Sequence, residues 1–274
     1  MRRDAPIGVF DSGVGGLTVL KALAAELPRE HFVYLGDTAR LPYGTKSPET
    51  VARYAVQAAE ALSEYGVKCL VIACNTASSV GLPAIRDHIR GVPIVGVIEP
   101  GAEAACAASK SGHIAVIATE GTVRGGAYQE AILRLRGRSR VVATPTQLFV
   151  ALAEEGLHEG PIAESVARHY LDPLFHPSRS REVSPDTLVL GCTHFPMLAG
   201  AIRAAVGPAI AIVDSAATTA RAVRETLGRE SLARLDGEGT TRFLATDSAE
   251  RFARIGSLFL ERPIDPEEVE LVDL

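Results

Sequence analysis

The chain contains no run of the roughly 18–20 apolar residues that a membrane span requires, so no transmembrane segment is expected. It has no run of basic residues and carries a net charge of −5, which argues against a nucleic-acid partner. No apolar signal core opens it: MRRDAPIGVFDSGVGG passes from two arginines directly into a strand pattern. The four cysteines, Cys69, Cys74, Cys106 and Cys192, lack the spacing of a disulfide framework. A cytoplasmic protein with reduced thiols is the expectation. C-x-x-C and H-x-x-x-H are both missing, which removes the usual spacings of a redox dithiol and of a closed zinc site. The glycine-rich stretch after residue 11 is neither G-x-G-x-x-G nor a Walker A sequence, so it gives no nucleotide site.

What is present is alternation. With 274 residues the chain has room for one large or two small α/β domains. Short buried-strand runs at 6–11, 32–37, 70–72, 93–100, 113–118, 140–143, 186–191, 209–215 and 241–246 are separated by segments of helical period. Helices are expected at 17–27, 48–65, 76–89, from 101 onward, 124–136, 148–155, 216–227 and 248–260. The segment 157–183 reads as a further helix with a looser connection containing Pro173, Pro177 and Ser178 to Arg181. Strands alternating with helices indicate an α/β fold with mainly parallel sheets.

The order of polar signals is duplicated. A strand ends in Asp11-Ser12 and another in Cys74-Asn75-Thr76; later, one ends in Thr119-Glu120-Gly121-Thr122 and another in Cys192-Thr193-His194. We therefore expect two similar, pseudo-symmetric domains with a cleft between their strand C-termini, where ligands of open α/β sheets bind. The expected division is 1–97 plus 209–274 for the domain carrying Cys74, and 98–208 for the domain carrying Cys192.

Cys74 and Cys192 both stand where an apolar strand turns polar, unlike Cys69 and Cys106, which read as small core residues. A helix starting at Asn75 would point its N-terminus at the Cys74 thiol and lower its pKa. A cysteine nucleophile assisted by His194 leaves Cys74 unexplained, and zinc would find only Cys74, Cys192 and His194. A two-base proton transfer uses both thiols, one as base and the other as acid on opposite faces of a carbon. Its carbanion-like transition state needs fixed donors, which Asn75, Thr76, Thr193 and helix N-terminal amides could supply. Asp11 could hold an ammonium group and His194 could orient Cys192. Spacing alone leaves Asp11 and Ser12 open between ligand and loop-capping roles, and Pro42-Tyr43-Gly44 open between a packed β-turn and a ligand loop.

Over essentially its whole length the chain resembles the glutamate racemases of the cofactor-independent aspartate/glutamate racemase superfamily. The resemblance runs through IGVFDSGVGGLTVL, GDTARLPYG, ACNTAS, GVIEPG, the T-x-G-T element of Thr119 to Thr122, and LGCTHFP. It implies interconversion of L- and D-glutamate without pyridoxal phosphate, metal or other cofactor, supplying D-glutamate for peptidoglycan. It further implies Cys74 and Cys192 as the paired acid/base residues, with Asp11, Ser12, Asn75, Thr76, Thr193 and His194 around them. Pro42-Tyr43-Gly44 would lie near the substrate's side-chain carboxylate, a role that Tyr43, Thr119 and Thr122 suit. The family's acidic residue falls on Glu154 in Phe149-Val150-Ala151-Leu152-Ala153-Glu154, with Glu155 adjoining. In this element Ala151 replaces a proline, and Thr144 stands where a cysteine is common. The implied partner is a small molecule, and a homodimer is compatible with the resemblance. Rival readings are an aspartate or hydantoin racemase, a non-catalytic amino-acid-binding protein, and a metal-dependent hydrolase.

Overall fold

The computed structural model describes residues 3–176 and 184–274. Among the described residues ten strands form in chain order: β1 Ile7–Asp11, β2 Phe32–Gly36, β3 Cys69–Ile72, β4 Ile94–Gly96, β5 His113–Ala118, β6 Arg140–Pro145, β7 Thr187–Gly191, β8 Ala211–Asp214, β9 Thr241–Ala245 and β10 Val269–Leu271. The helices that alternate with them are α1 Leu17–Glu26, α2 Pro48–Glu64, α3 Asn75–Val80, α4 Leu82–His88, α5 Ile98–Ala108, α6 Glu120–Gly125, α7 Ala127–Leu135, α8 Leu148–Glu154, α9 Gly160–Phe175, α10 Ala199–Val206, α11 Ser215–Arg229 and α12 Ala249–Leu260. Every described strand pairing is parallel. Every residue of β1, β2, β3, β5 and β7 is buried, which is why these segments read as continuous apolar runs rather than as alternations. No described helix is long and apolar enough to cross a membrane.

The strands divide into two sheets, ordered β10-β9-β2-β1-β3-β4 and β6-β5-β7-β8. The inner order of the first, β2-β1-β3-β4, is repeated by the second as β6-β5-β7-β8. Asp11 and Thr119 therefore mark the ends of equivalent strands, and so do Cys74 and Cys192. The duplication seen in the polar signals is a duplication of topology.

The repeat also moves one expected boundary. The strand near 209 does not return to the first unit: β8 pairs with β7 and is the fourth strand of the second sheet. Only β9 and β10 rejoin the first sheet, outside β2. β10 is a strand that sequence pattern does not suggest. Helices after the fourth strands cross over, with α5 packing on α7 and β7 of the second unit and α11 packing on α1 of the first.

Other differences have local causes. The expected strand 93–100 stops at Gly96, and Ile98-Glu99-Pro100 form the first turn of α5. Proline is tolerated there because first-turn N–H groups lack helical partners anyway. The helix expected over 76–89 breaks at Gly81, and that over 124–136 begins at Glu120 and breaks at Gly126, whose φ is 70°. Pro173 lies inside the last turn of α9, not in a loop, while the rest of that expected connection, 177–183, lies outside the described residues. The expected start of α2 is found as read: Ser47 Oγ accepts from the Thr50 N–H at 3.3 Å, with Pro48 in the first turn.

At the opposite end of the first sheet from the cleft, a charge pair is sealed in the core. Lys68, fully buried just before β3, pairs with Glu30 and donates to the Arg3 carbonyl. Glu30 Oε1 also accepts from the Arg234 N–H at 2.8 Å. Removing one partner strands the other charge away from water. Lys68→Met is expected to lower unfolding free energy by about 3–5 kcal/mol, and Lys68→Met with Glu30→Leu to recover most of it. Urea denaturation of the two variants checks this; equal losses in both would refute it.

Candidate active site

The site is assembled from the C-terminal ends of β1, β3, β5 and β7 and from the loops that follow β2 and β6. β3 ends two residues before Cys74, which takes the N-cap position of α3: its Sγ accepts from the Ala77 N–H at 3.4 Å. The thiol also lies 3.5 Å from Ser12 Oγ, on the loop after β1. The helix start thus forms as read, but its expected effect on acidity does not prevail. Burial pushes the Cys74 thiol up to about 12, and the neighbouring Asp11 charge adds to it; the Ala77 N–H and Ser12 offset only part.

Cys192 follows β7 in the equivalent position, with different company. A 3-10 turn over Phe195–Leu198 comes before α10, so no helix starts directly at this thiol. Its Sγ meets His194 Nδ1 at 3.8 Å, and His194 Nε2 meets Glu154 Oε1 at 3.1 Å. The other Glu154 oxygen accepts from Arg251 Nη2 at 3.0 Å. Burial opposes charge on His194, yet the hydrogen bonds to Cys192 and Glu154 hold its pKa up to about 10. The hydrogen bond from His194 in turn keeps the Glu154 carboxyl below its ordinary value, with Arg251 adding to it. Of the two adjoining acids, Glu154 makes these contacts; Glu155 caps the end of α8 and is exposed.

The glycines after β1 make these approaches possible. A Cβ on Gly15 would lie 2.5 Å from His194 Nδ1 and Cε1, and one on Gly16 would lie 2.4 Å from the Asp11 Cβ. Asp11 is fully buried, accepts from the Gly13 N–H at 3.1 Å and leaves Oδ1 without a hydrogen-bond partner among the described residues. Burial raises its pKa, while the His194 charge and the Gly16, Gly13 and Ser12 N–H groups pull it down. It is not among the groups lining the cavity; Asp11 stands behind the surface, within electrostatic reach of both Cys74 and His194.

Between the thiols lies a narrow cavity of about 40 Å³. Cys74, Asn75, Thr76, Ser12, Pro42, Tyr43 and Gly44 line it from the first unit; Thr119, Glu154, Cys192, Thr193 and His194 line it from the second. Thr76 Oγ1 lies 2.9 Å from Thr119 Oγ1 and 3.1 Å from Thr122 Oγ1, a closed triangle that joins the units, with Thr122 behind the cavity wall. Asn75 Oδ1 accepts from the Tyr128 hydroxyl at 2.8 Å, leaving its buried Nδ2 unpartnered. Thr193 is fixed through its carbonyl by the Thr18 hydroxyl at 3.0 Å.

Tyr43 combines the two readings left open for its loop, lining the cavity while its hydroxyl packs inward. Its hydroxyl donates to buried Asp37, which also accepts from Arg40 Nε at 2.7 Å and from the Thr246 hydroxyl at 2.9 Å. Burial, reinforced by Asp37, raises the Tyr43 pKa, so it stays a donor facing the core. What the loop offers the cavity is Pro42, Gly44 and the tyrosine body; Gly44 packs so closely that a Cβ would meet Thr119 at 2.7 Å. Sequence reasoning misses Asp37 and Arg251, and also Leu41, Gln147 and Val150, which line the cavity. Asp37 carries a weak signal as a carboxylate at a strand end; the others carry none, because only the fold brings them near.

Residues 7–223 match the Asp/Glu/Hydantoin racemase family. A glutamate racemase from Geobacter metallireducens is 49% identical over 255 residues, covering 93% of this chain and 92% of the relative. The solved structure of glutamate racemase from Thermus thermophilus in complex with beta-chloro-D-alanine superposes with a TM-score of 0.87 at 44% identity, covering 100% of this chain and 99% of the other. That of glutamate racemase from Francisella tularensis in complex with D-glutamate gives a TM-score of 0.90 at 34% identity, covering 99% and 98%. The chain accordingly belongs to the Asp/Glu/Hydantoin racemase family and, within it, groups with the glutamate racemases.

Proposed function

We propose that the cleft interconverts L- and D-glutamate by two-base proton transfer at Cα, with Cys74 and Cys192 on opposite faces of the substrate. The observation that carries this reading is the pair of thiols at equivalent strand ends of a repeated unit, both lining one small cavity. One thiolate removes the Cα proton while the opposite thiol returns a proton to the other face; the return reaction exchanges the roles. The two sides are equipped differently. Cys74, pushed up to about 12, retains its proton in the empty site and serves first as the acid. His194, held up to about 10, is the imidazolium counter-ion that a thiolate at Cys192 requires.

The carbanion-like transition state needs donors already in place. The buried, unpartnered Asn75 amide, the Thr76 and Thr119 hydroxyls and the amides at the start of α3 fit an α-carboxylate, with no reorganisation needed as charge develops there. Pro42, Gly44 and Thr193 complete the enclosure. A cavity of about 40 Å³ holds about three waters, fewer atoms than glutamate brings, so the cleft must widen to admit substrate. The reading extends to a cytoplasmic enzyme that supplies D-glutamate for peptidoglycan, and glutamate rather than aspartate follows from the glutamate racemases it groups with.

Incubation with L-glutamate in heavy water, without added cofactor, is expected to abolish optical rotation while deuterium enters Cα of the D-isomer. Exchange with aspartate alone would move the substrate, and exchange with neither would sink the enzymatic reading. Cys74→Ala and Cys192→Ala should each lose racemisation by roughly 10³-fold or more. Each should still exchange the Cα proton of the one isomer its remaining thiol faces; inversion by either variant would overturn the two-thiol assignment. Gly15→Ala should drive a methyl into the His194 ring and lower kcat by roughly 10²-fold with the fold retained. Steady-state kinetics beside circular dichroism tests it, and an unchanged kcat would show that His194 needs no fixed position.

A further inference from the structure

Helix α12 belongs to the first unit, yet it places two side chains against the acid–base arm of the second. Arg251, in its first turn, reaches Glu154 Oε2 at 3.0 Å. Phe259, eight residues on and therefore on the same helical face, meets the His194 ring edge-on, with centroids 5.1 Å apart and planes at 79°. Between these two contacts run Glu154 Oε1 to His194 Nε2 and His194 Nδ1 to Cys192 Sγ. Ser248 pins the first turn of α12 from a left-handed conformation at φ 50°, its Oγ accepting from the Arg251 N–H at 3.4 Å.

Arg251 does not line the cavity between the thiols. Exposed ion pairs commonly contribute little to stability. This one is different in geometry: Glu154 is only 19% exposed and its second oxygen is already committed to His194, so loss of Arg251 frees the carboxylate to turn. We propose that Arg251 is a positioning residue, fixing Glu154 so that His194 keeps one orientation toward Cys192 and making the seating of α12 a condition of proton transfer on that side. This rests on the two-thiol reading of the cleft.

The charged groups facing Glu154 are His194 from the loop after β7, Arg251 of α12, and Asp247, which shares a small void with Glu154 and Arg251. Those facing His194 are Glu154, Cys192 and, through its charge, Asp11. Because Arg251 helps hold the carboxyl below its ordinary value, its loss lets Glu154 take up a proton at higher pH.

The test uses the full chain carrying Arg251→Gln, Arg251→Met or Arg251→Lys, with kcat and KM for both glutamate isomers measured across the active pH range. For Gln and Met we expect kcat roughly tenfold lower and KM changed less than about twofold. The acidic limb of kcat/KM should move up by roughly half a pH unit, and Lys should restore most of kcat. Added salt should shift the unsubstituted enzyme toward the Gln variant and leave the Gln variant unmoved. An unshifted acidic limb, or a Lys variant as impaired as Met with an equal fall in Tm, would reduce Arg251 to packing and overturn the proposal. Failure of the underlying reading shows separately, as inversion by Cys192→Ala whatever Arg251 does.

Discussion

Two thiols buried in one small cavity lose the solvation that a thiolate needs, and the surrounding structure is arranged around that penalty. The consequence is plain at Cys74, where burial and the nearby Asp11 outweigh a helix start and the Ser12 hydroxyl. At Cys192 the answer is an imidazolium backed by a carboxylate, itself backed by an arginine. An acid/base pair for one reaction thus consists of two chemically identical groups in different company. At Cys74 enclosure raises the thiol's affinity for a proton, and affinity for protons is what a base needs to attack a weakly acidic Cα–H.

The repeated strand order explains how such a pair can be placed at all. Two units sharing β2-β1-β3-β4 topology present equivalent strand tips, and facing them sets two thiols opposite each other without either loop having to be long. Around the thiols, the two units diverge in the segments just beyond the tips. After β3 comes a helix start, whose N–H groups suit an anion; after β7 comes a 3-10 turn, which leaves room for His194 to fold back beside its own cysteine. Gly15 supplies that room from the other unit.

Much of this is legible in residues alone, because strand tips are marked by an abrupt change from β-branched apolar side chains to Ser, Thr, Asn and Cys. The α/β class, the duplication, both thiols and the threonine element are of that kind. Legibility fails where distance in sequence separates partners close in space. Tyr43 stays open between packing and ligand because nothing local shows that Asp37 takes its hydroxyl inward. Asp11 stays open between ligand and loop-capping roles because its burial depends on how the glycines after it wrap around it. The acidity of Cys74 is misread for the same reason: helix starts are visible in sequence, and desolvation is not. The strand 211–214 falls in the wrong unit on pattern alone, because its apolar run suits either sheet edge.

The crossing of α5 and α11 bears on how so tight a cavity can admit a substrate. Each unit sends the helix after its fourth strand onto the other, so the units are held by packed helix pairs away from the strand tips. At the tips, Phe259 against the His194 ring aside, the contacts are small and polar: the threonine triangle of Thr76, Thr119 and Thr122, Gly44 against Thr119, Thr18 against the Thr193 carbonyl, and Arg251 against Glu154. Apolar packing resists separation more than a handful of hydrogen bonds that water can replace. Widening should therefore occur at the tips, with the crossed helices as the hinge side. Of the contacts broken on opening, Arg251 to Glu154 is the one that bears on the acid–base arm, whose links from Cys192 to His194 and from His194 to Glu154 lie within the second unit.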